Sequence, residues 1–370
     1  MRKRNTIVLL SIVMVLALAS QACNLFSRQS TPSDIVVEEV LVVEEPVEEA
    51  EIEEKTWSSE LVYQLLYEEK IASLAYSSDG TMIAIGFFMQ ADLLTAEDGS
   101  KIKSLELTHS ADDLQFTPDD SQLAAAISVG GVRLIDVTSG EEVHKLHDGF
   151  DSRLAISPDG SLIATGNREG VAWVWDIQSG ESLAELDPSN QVDNYSEYLT
   201  AITFSPDGQK LAVGHWDGNV FIWDVTTGAL LDHLEPASEF CGAWDLAFSP
   251  GGEYLAVGGA NVDFRQTVRI WDIANGTILY DLAEVDRTGA MHAPVVFSQD
   301  GNLLAAGGMG GIYLWELTKF EFIHHIPIED TGATDWVTDL AFSPDSQRLA
   351  AGFWDGYAQL WQLEPPTSSD

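Results

Sequence analysis

The amino-acid sequence predicts an all-β protein, a seven-bladed β-propeller closed by an N-terminal strand that pairs with the last blade. The main observation is a four-residue turn that recurs seven times, with starts 40 to 49 residues apart. The turns are SSDG at 77–80, TPDD at 117–120, SPDG at 157–160 and 205–208, SPGG at 249–252, SQDG at 298–301 and SPDS at 343–346. Apolar segments flank each turn, so that about four short strands fit into each repeat. This period and strand number are typical of a propeller blade.

The recurring turn is expected to join strand a, the first strand of each blade, to strand b. In FSPDG at 204–208, Pro206 presets the φ angle of a type I turn, Asp207 accepts bonds from nearby backbone amides, and Gly208 supplies a positive φ. Strand b is short and built from small apolar residues, as in LAVG at 211–214. Such a strand suits a position near a crowded axis, where both of its faces are packed.

Strand c ends in a large aromatic residue followed by an acid, as in VFIWD at 220–224. The aromatic residue is expected to pack between neighbouring blades. The acid is an aspartate in four repeats, at Asp136, Asp176, Asp224 and Asp272. Ser-Gly, Thr-Gly or Asn-Gly pairs follow at 139–140, 179–180, 227–228 and 275–276 and predict the reversal into strand d, the outer strand.

On these residues the repeat resembles the WD40-repeat family of β-propellers, over roughly residues 60–364. The Trp-Asp pair stands at 175–176, 223–224 and 271–272, with the variants Trp315-Glu316, Trp361-Gln362, Leu94-Thr95 and Ile135-Asp136. The family's Gly-His pair before strand a is missing, and only Asp217 and Asp355 clearly hold its acid between strands b and c. The resemblance therefore implies blades held by apolar packing, without the family's buried His-Asp-Ser-Trp network. Periplasmic propellers of the TolB type also carry SPDG turns, but the Trp-Asp endings favour WD40.

The two ends of the repeat region predict how the ring closes. The chain ends at strand c of the seventh repeat, at 357–363, and so leaves the last blade without an outer strand. Residues 60–67, ELVYQLLY, form an extra strand before the first repeat. Pairing of this strand with the last blade would remove an exposed edge and lock the ring. A short tail, residues 365–370, follows.

Residues 1–22 have the composition of a secretory signal peptide. Basic residues occupy positions 2–4, an apolar stretch of 13 residues covers 7–19, and small residues precede Cys23. Thirteen residues suit a signal peptide and are too few to span a bilayer. Cys23 resembles the lipid-attachment cysteine of bacterial lipoproteins, although Ser20 stands where that family usually has Leu. We expect export and lipidation of Cys23, with ordinary cleavage or an uncleaved anchor as the alternatives.

Residues 23–58 are expected to form an acidic tether between this cysteine and the propeller. From Asp34 to Glu54 there are ten acidic residues and no basic one, and such a run repels itself and stays solvated. The interleaved valines allow a second interpretation, a short element that docks on a partner. If Cys23 is lipidated, Cys241 has no cysteine left to pair with, and it is interpreted as a small apolar filler.

The charge of the chain excludes some classes of partner. With 59 acidic and 18 basic residues the formal net charge is −41. Nucleic-acid binding needs a basic surface, so no nucleic acid is expected among the partners. Anionic membranes should repel the chain as well, which leaves the lipid as its contact with a membrane.

The candidate binding residues lie in loops that the WD40 resemblance places on one rim of the ring, the top face. These are the d-to-a loops and the b-to-c turns, whereas the recurring SPDG-like turns lie on the opposite rim. The candidates are Trp216, Trp354, Trp244, Trp336, Asp217, Asp355, Tyr195, Tyr198, Phe150, Phe240 and Phe264, with Asp193 and Asp335 nearby. Loop aromatics contribute contact area at little entropic cost. Each aromatic residue could instead cover the gap to the next blade, and Asp217 and Asp355 are expected to cap turns.

Motifs of enzymes are missing from the sequence. It contains no G-x-S-x-G, no H-E-x-x-H and no phosphate-binding loop, and its histidines are scattered. The sequence therefore predicts no catalytic residues, no metal site and no cofactor. The leading hypothesis is an exported, lipid-anchored, monomeric binding or scaffold module that recognises an extracytoplasmic protein. The alternatives are a propeller enzyme acting on a sugar, lactone or peptide in the axial funnel, and a TolB-like envelope assembly factor.

Overall fold

The computed structural model describes residues 57–146, 151–192, 195–196, 198–236, 240–261, 266–282, 293–327 and 336–366. For residues 151, 152, 190, 240, 241, 261 and 266 it describes the backbone alone. The signal-like segment, Cys23, the acidic tether up to residue 56 and the side chain of Cys241 lie outside the described residues. Within the described part of the chain, no helix has both the length and the apolar character needed to cross a membrane.

Residues Trp57–Pro365 form one compact unit. Its described residues contain 28 strands and one short 3₁₀ helix, Pro188–Asn190. Blade 1 consists of β2 (Ser73–Tyr76), β3 (Met82–Phe87), β4 (Gln90–Thr95) and β5 (Lys101–Glu106). Blade 2 consists of β6 (Ala111–Phe116), β7 (Gln122–Ile127), β8 (Gly131–Asp136) and β9 (Glu142–Lys145). Blade 3 consists of β10 (Asp151–Ile156), β11 (Leu162–Asn167), β12 (Ala172–Asp176) and β13 (Ser182–Leu186).

Blades 4 to 6 repeat this arrangement. Blade 4 consists of β14 (Leu199–Phe204), β15 (Lys210–His215), β16 (Val220–Asp224) and β17 (Leu230–Leu234). Blade 5 consists of β18 (Phe240–Phe248), β19 (Tyr254–Asn261), β20 (Gln266–Asp272) and β21 (Thr277–Leu282). Blade 6 consists of β22 (Val295–Phe297), β23 (Leu303–Gly308), β24 (Gly311–Glu316) and β25 (Glu321–Pro327). Each blade is a four-stranded antiparallel sheet whose strands follow chain order. The predicted all-β, seven-bladed propeller is confirmed.

The seventh blade joins the two ends of the propeller sequence. It consists of β26 (Val337–Phe342), β27 (Arg348–Phe353), β28 (Tyr357–Glu364) and, on the outside, β1 (Ser58–Leu66). β1 runs antiparallel to β28, with Ser58 opposite Glu364 and Leu66 opposite Tyr357. The predicted closure is thus confirmed, with a strand that starts two residues earlier and ends one residue earlier than predicted.

The hydrophobic core is divided among the interfaces between blades. Seven core clusters each combine residues of two successive blades, including one between blades 7 and 1 that contains Ile71 and Leu360. The aromatic residue that ends strand c is buried where it is tryptophan, at Trp175, Trp223, Trp271, Trp315 and Trp361. The predicted packing role of these residues is confirmed. Trp175 Nε1 also donates to Thr165 Oγ1 at 3.0 Å.

The recurring turns use their polar residues as predicted, and two of them replace the glycine. In the standard form Asp159 accepts from Ser157 Oγ and from the backbone N–H of Ser161. Asp120 and Ser346 stand where glycine is usual and adopt positive φ angles of 57° and 60°. The carboxylate of Asp120 accepts from the backbone N–H groups of Ser78 and Asp79 in blade 1. A bond to the neighbouring blade thus offsets part of the cost of the left-handed conformation.

Candidate binding site at the top of the axial channel

A cavity of about 280 Å³ lies at the top of the axial channel of the propeller. At this end of the channel the inner strands of the blades begin. All seven blades contribute to its lining. The residues are Lys70 and Ala72 from blade 1, Asp112 and Asp113 from blade 2, Arg153 and Arg168 from blade 3, Tyr198, Leu199, Thr200 and Trp216 from blade 4, Trp244 and Asp245 from blade 5, Ala293 and Pro294 from blade 6, and Thr338 and Asp339 from blade 7. Residues of b-to-c turns and residues next to the starts of the inner strands meet here, as expected for the top face.

Blade 4 places an aromatic group at the cavity mouth. The backbone N–H of Trp216 donates to the carbonyl of Tyr198 at 2.8 Å, which ties the b-to-c turn to the start of the inner strand. The rings of Tyr198 and Trp216 meet edge to face at 5.8 Å, and the ring of Trp244 lies 6.3 Å from that of Trp216. Trp216 is half-buried and Tyr198 is 37% exposed. The pair therefore presents aromatic surface to solvent beside the cavity.

Blade 7 repeats this arrangement with two tryptophans. The backbone N–H of Trp354 donates to the carbonyl of Trp336 at 3.1 Å, and the two rings are 4.7 Å apart. Both residues are half-buried. Lys70 Nζ lies 4.5 Å from the centre of the Trp354 ring, within the range of a cation–π contact. Since Trp336 and Tyr198 hold the same position relative to the inner strand, the same backbone bond builds both aromatic pairs.

The other aromatic candidates do not all belong to this surface. Trp244 is only 7% exposed and lies in β18, whereas the sequence predicted a loop there, so it acts mainly as packing beneath Trp216. Tyr195 meets the rings of His215 and Phe221 edge to face, at 5.3 and 5.4 Å. Phe150, Phe264, Asp193 and Asp335 lie outside the described residues, as does the side chain of Phe240.

Asp217 caps the b-to-c turn of blade 4. Its Oδ1 accepts from the backbone N–H of Asn219 at 3.2 Å, and its Oδ2 accepts from the backbone N–H of Ser196. His215 Nδ1 lies 2.7 Å from the carbonyl of Ser196. The ring of His215 is fully buried, and burial lowers the pKa of His215. These contacts anchor Ser196, which precedes β14, so they give Asp217 a structural role. Asp355 holds the matching position in blade 7.

Three inner-strand carboxylates join successive blades around the channel. Asp113 accepts from the backbone N–H of Leu154 at 3.0 Å, Asp245 from that of Val295 at 2.7 Å, and Asp339 from that of Leu74 at 2.8 Å. In each case the donor belongs to the next blade along the chain or, for Asp339, to blade 1. Each carboxylate therefore stabilises one junction of the ring.

Blades 3, 4 and 5 are joined at the same level by other groups. Arg153 takes the position of these aspartates in blade 3, and its Nε donates to the carbonyl of Thr200 at 2.6 Å. Thr200 Oγ1 in turn donates to the carbonyl of Ala243 at 2.6 Å. A positive charge thus lies among the three carboxylates.

Burial raises the pKa of all three carboxyl groups, to about 7 for Asp113, to about 6 for Asp245, and well above the ordinary value for Asp339. The positive charge of Arg153 opposes this rise in the pKa of Asp113. The negative charges of Asp113 and Asp245 add to the rise in the pKa of Asp339. Part of each side chain faces the channel, where water reduces the cost of the charge.

Sequence reasoning missed these carboxylates, although the repeat contains a signal for them. Asp-Leu-x-Phe occurs at 113–116, 245–248 and 339–342, each time directly before the recurring turn. In an inner strand, an acid inside an otherwise apolar run needs a specific partner. Among the described residues, no group of three or more histidine, cysteine, aspartate or glutamate side chains is arranged to hold a metal ion.

Comparison with family models places this architecture among known propellers. Residues 92–308, more than half of the chain, match the model of the N-terminal β-propeller domain of nucleolar protein 10-like proteins. Residues 323–362 match the model of the WD domain, G-beta repeat. The second match covers most of β25, the outer strand of blade 6, and the strands β26, β27 and most of β28 of blade 7.

Individual relatives match over shorter stretches. The small ribosomal subunit protein RACK1 of Glycine max is 24% identical over 59% of this chain and 40% of its own length. RACK1z of Arabidopsis thaliana is 41% identical over 12% of this chain and 14% of its own length. Apoptotic protease-activating factor 1 of Homo sapiens is 33% identical over 28% of this chain and 8% of its own length. The aligned region thus spans less than half the length of each relative.

Proposed function

We propose that this chain, which belongs to the WD40-repeat family of β-propellers, is a protein-binding scaffold that recognises its partner with the top face. The observation that carries the proposal is the repeated aromatic pair, Tyr198 with Trp216 in blade 4 and Trp336 with Trp354 in blade 7. Both pairs are half-buried or exposed, and both are held by the same backbone bond. Large, preorganised aromatic groups of this kind are typical of binding hot spots.

The proposal predicts different behaviour for rim and core tryptophans. Trp216→Ala and Trp354→Ala should each weaken partner binding by about 1 to 3 kcal/mol, with little loss of stability, because both side chains keep solvent-facing surface. Trp223→Ala should instead lower the melting temperature by several degrees, since Trp223 is 2% exposed and its loss leaves a cavity. Thermal melts of the purified variants and quantitative affinity capture measure the two effects.

The matched control is Phe322→Ala, which removes an exposed aromatic residue from an outer strand. This variant should capture the same proteins as the wild type, in the same amounts. If both rim variants melt several degrees early and capture partners normally, the aromatic pairs are packing elements and the proposed site is wrong.

The proposed location is the outer side of a membrane, with attachment through a lipid on Cys23. The basic start, the short apolar stretch and the small residues before Cys23 support this part of the proposal. We expect Cys23→Ser to release the mature protein from membranes or to block its processing. Labelling with a radioactive fatty acid tests the attachment directly, and a wild-type chain that incorporates no label would exclude it.

The rival function, an enzyme acting in the axial funnel, depends on the three inner carboxylates. Their raised pKa values are a feature that catalytic groups often share. However, Asp113, Asp245 and Asp339 each accept a backbone bond from a neighbouring blade, so a structural role already accounts for their position. The scaffold function therefore explains more of the observed geometry.

A further inference from the structure

Closure of the ring fixes Lys70 beside the axial cavity. Lys70 lies between β1, the outer strand of blade 7, and β2, the inner strand of blade 1. The next residue, Ile71, is fully buried, and its backbone N–H donates to the carbonyl of Phe353 at 3.2 Å. Before it, the backbone N–H of Tyr67 donates to the carbonyl of Gly356 at 2.9 Å. Backbone hydrogen bonds thus hold both ends of the short segment that carries Lys70. The fold therefore largely determines the position of the Lys70 side chain.

The ammonium group of Lys70 has no ion-pair partner among the described residues. Its contact is the face of Trp354, 4.5 Å from the ring centre. Burial lowers the pKa of Lys70; the negative charge of Asp112 opposes this change, and the positive charge of Arg153 adds to it. A charge that is desolvated in this way, near a second positive charge, is destabilising unless something binds it.

Basic residues are rare in this chain, but three of them lie at the axial cavity. Only 18 basic residues face 59 acidic ones, yet three bases, Lys70, Arg153 and Arg168, line this one cavity. Two of them contact rim aromatics, since Arg168 lies 5.8 Å from the ring of Tyr198. At physiological ionic strength the distant negative charges are screened beyond about 8 Å, so the groups at the cavity determine what enters it.

We propose that Lys70 receives a carboxylate of the partner, an acidic side chain that enters the axial cavity while its neighbours pack on the aromatic rim. This inference rests on the proposed function and specifies its ligand. Arg153, deeper in the cavity, adds attraction for the same negative charge. An incoming carboxylate would give Lys70 the partner that the fold does not supply.

The size of the cavity and the position of Lys70 favour a single carboxylate from a peptide. A volume of about 280 Å³ is at the lower limit for ligand pockets and suits one side chain. Asp112, Asp113, Asp245 and Asp339 line the same cavity, and they would oppose a doubly charged phosphate more strongly than a singly charged carboxylate. Tyr198 and Trp216 line the cavity, and Trp354 lies against Lys70, so these rings offer apolar surface to the residues that flank the acid. A free carboxylate such as acetate would use none of that surface.

Protection of Lys70 from acetylation tests the inference on the wild-type protein. The probes are acetyl-Leu-Glu-Leu-amide and its neutral counterpart acetyl-Leu-Gln-Leu-amide, with sodium acetate as the free carboxylate. Mass spectrometry measures acetylation rates at Lys70 and at the exposed Lys319, the internal control. The glutamate peptide should slow the reaction at Lys70 in proportion to the fraction of protein bound, and should leave Lys319 unchanged. Equal protection by the glutamine peptide or by acetate overturns the assignment to an acidic peptide.

Lys70→Met separates a ligand-binding role from a structural one. The variant should bind the glutamate peptide about 10- to 100-fold more weakly, as expected for the loss of a charge-assisted contact. Its melting temperature should stay equal or rise, because an unpaired, desolvated charge has been removed. Lys319→Met should change neither quantity. A melting temperature several degrees lower, with peptide binding unchanged, overturns the inference.

Failure of this inference can be told from failure of the proposed function. If Trp216→Ala and Trp354→Ala reduce partner capture while Lys70→Met does not, the top face binds its partner without the carboxylate contact, and the inference alone is wrong. If the tryptophan variants capture the partner normally, the top-face proposal itself is wrong, and the inference that depends on it is wrong too.

Discussion

Removal of β1, residues 58–66, should lower the free energy of unfolding by several kcal/mol, a large share of the stability of an ordinary domain. β28 would lose its outer hydrogen-bonding partner along the whole register from Tyr357 to Glu364. The half-buried Leu61, Tyr63 and Leu65 would also leave the core clusters that flank blade 7. In addition, an exposed strand edge is a template for pairing with a second copy of the chain.

The matched control is deletion of residues 30–55, which removes a longer segment and keeps β1 with all of the contacts described for it. Thermal or urea unfolding compares the stabilities, and size-exclusion chromatography detects association through the open edge. The shorter deletion, of β1, should be the more damaging one. Equal melting temperatures for the two variants would contradict the role of β1 in closure.

Gly258→Ala should destabilise the propeller by about 3 kcal/mol or more, the upper part of the range for overpacked cores. A methyl group at this position in β19 would overlap the backbone carbonyl oxygen of Ala293 in blade 6. The φ angle at Gly258 is not in the left-handed region, so the cost comes from the clash and not from the conformation of alanine. Backbone atoms cannot turn aside as a side chain can, and the two blades would have to separate.

Blade 2 offers the control at the same place in the repeat. Ala126 lies opposite Asp113 as Gly258 lies opposite Asp245, and it already carries the methyl group there while being fully buried. Ala126→Gly should therefore cost only about 1 kcal/mol, through greater freedom of the unfolded chain and a small loss of packing. Chemical unfolding of both variants measures the difference. A Gly258→Ala protein as stable as the wild type would show that the interface between blades 5 and 6 is looser than described.

Much of the fold follows from local patterns in the sequence. The recurring turns count the blades, and their residues act as expected, with Asp159 bonding its own turn. The tryptophans before Asp176 and Asp224 are buried, as their place at the end of strand c predicts. Even the closure could be predicted, because a last blade without an outer strand and an extra strand at the start imply each other.

The candidate site was predicted only in part. Loop position identified Trp216 and Trp354 as rim residues, yet it also selected Trp244, which is buried in β18. A b-to-c turn and the preceding loop residue meet through one backbone bond, which appears only when the blade is folded. For this reason sequence reasoning did not pair Trp354 with Trp336.

The number of blades, the order of their strands and the turn chemistry follow from the sequence, because these features depend on neighbours within one repeat of the chain. The place where the ring closes also follows from the sequence, because the last repeat lacks an outer strand and an extra strand precedes the first repeat. Which groups meet at the axis depends on the tertiary structure. Lys70 and Trp354 come from opposite ends of the propeller sequence, and Asp113, Asp245 and Asp339 come from three separate blades. Their meeting depends on the curvature of the closed ring, to which every interface between blades contributes. No local pattern records that curvature, so the chemistry of the cavity could be known only after the ring was built.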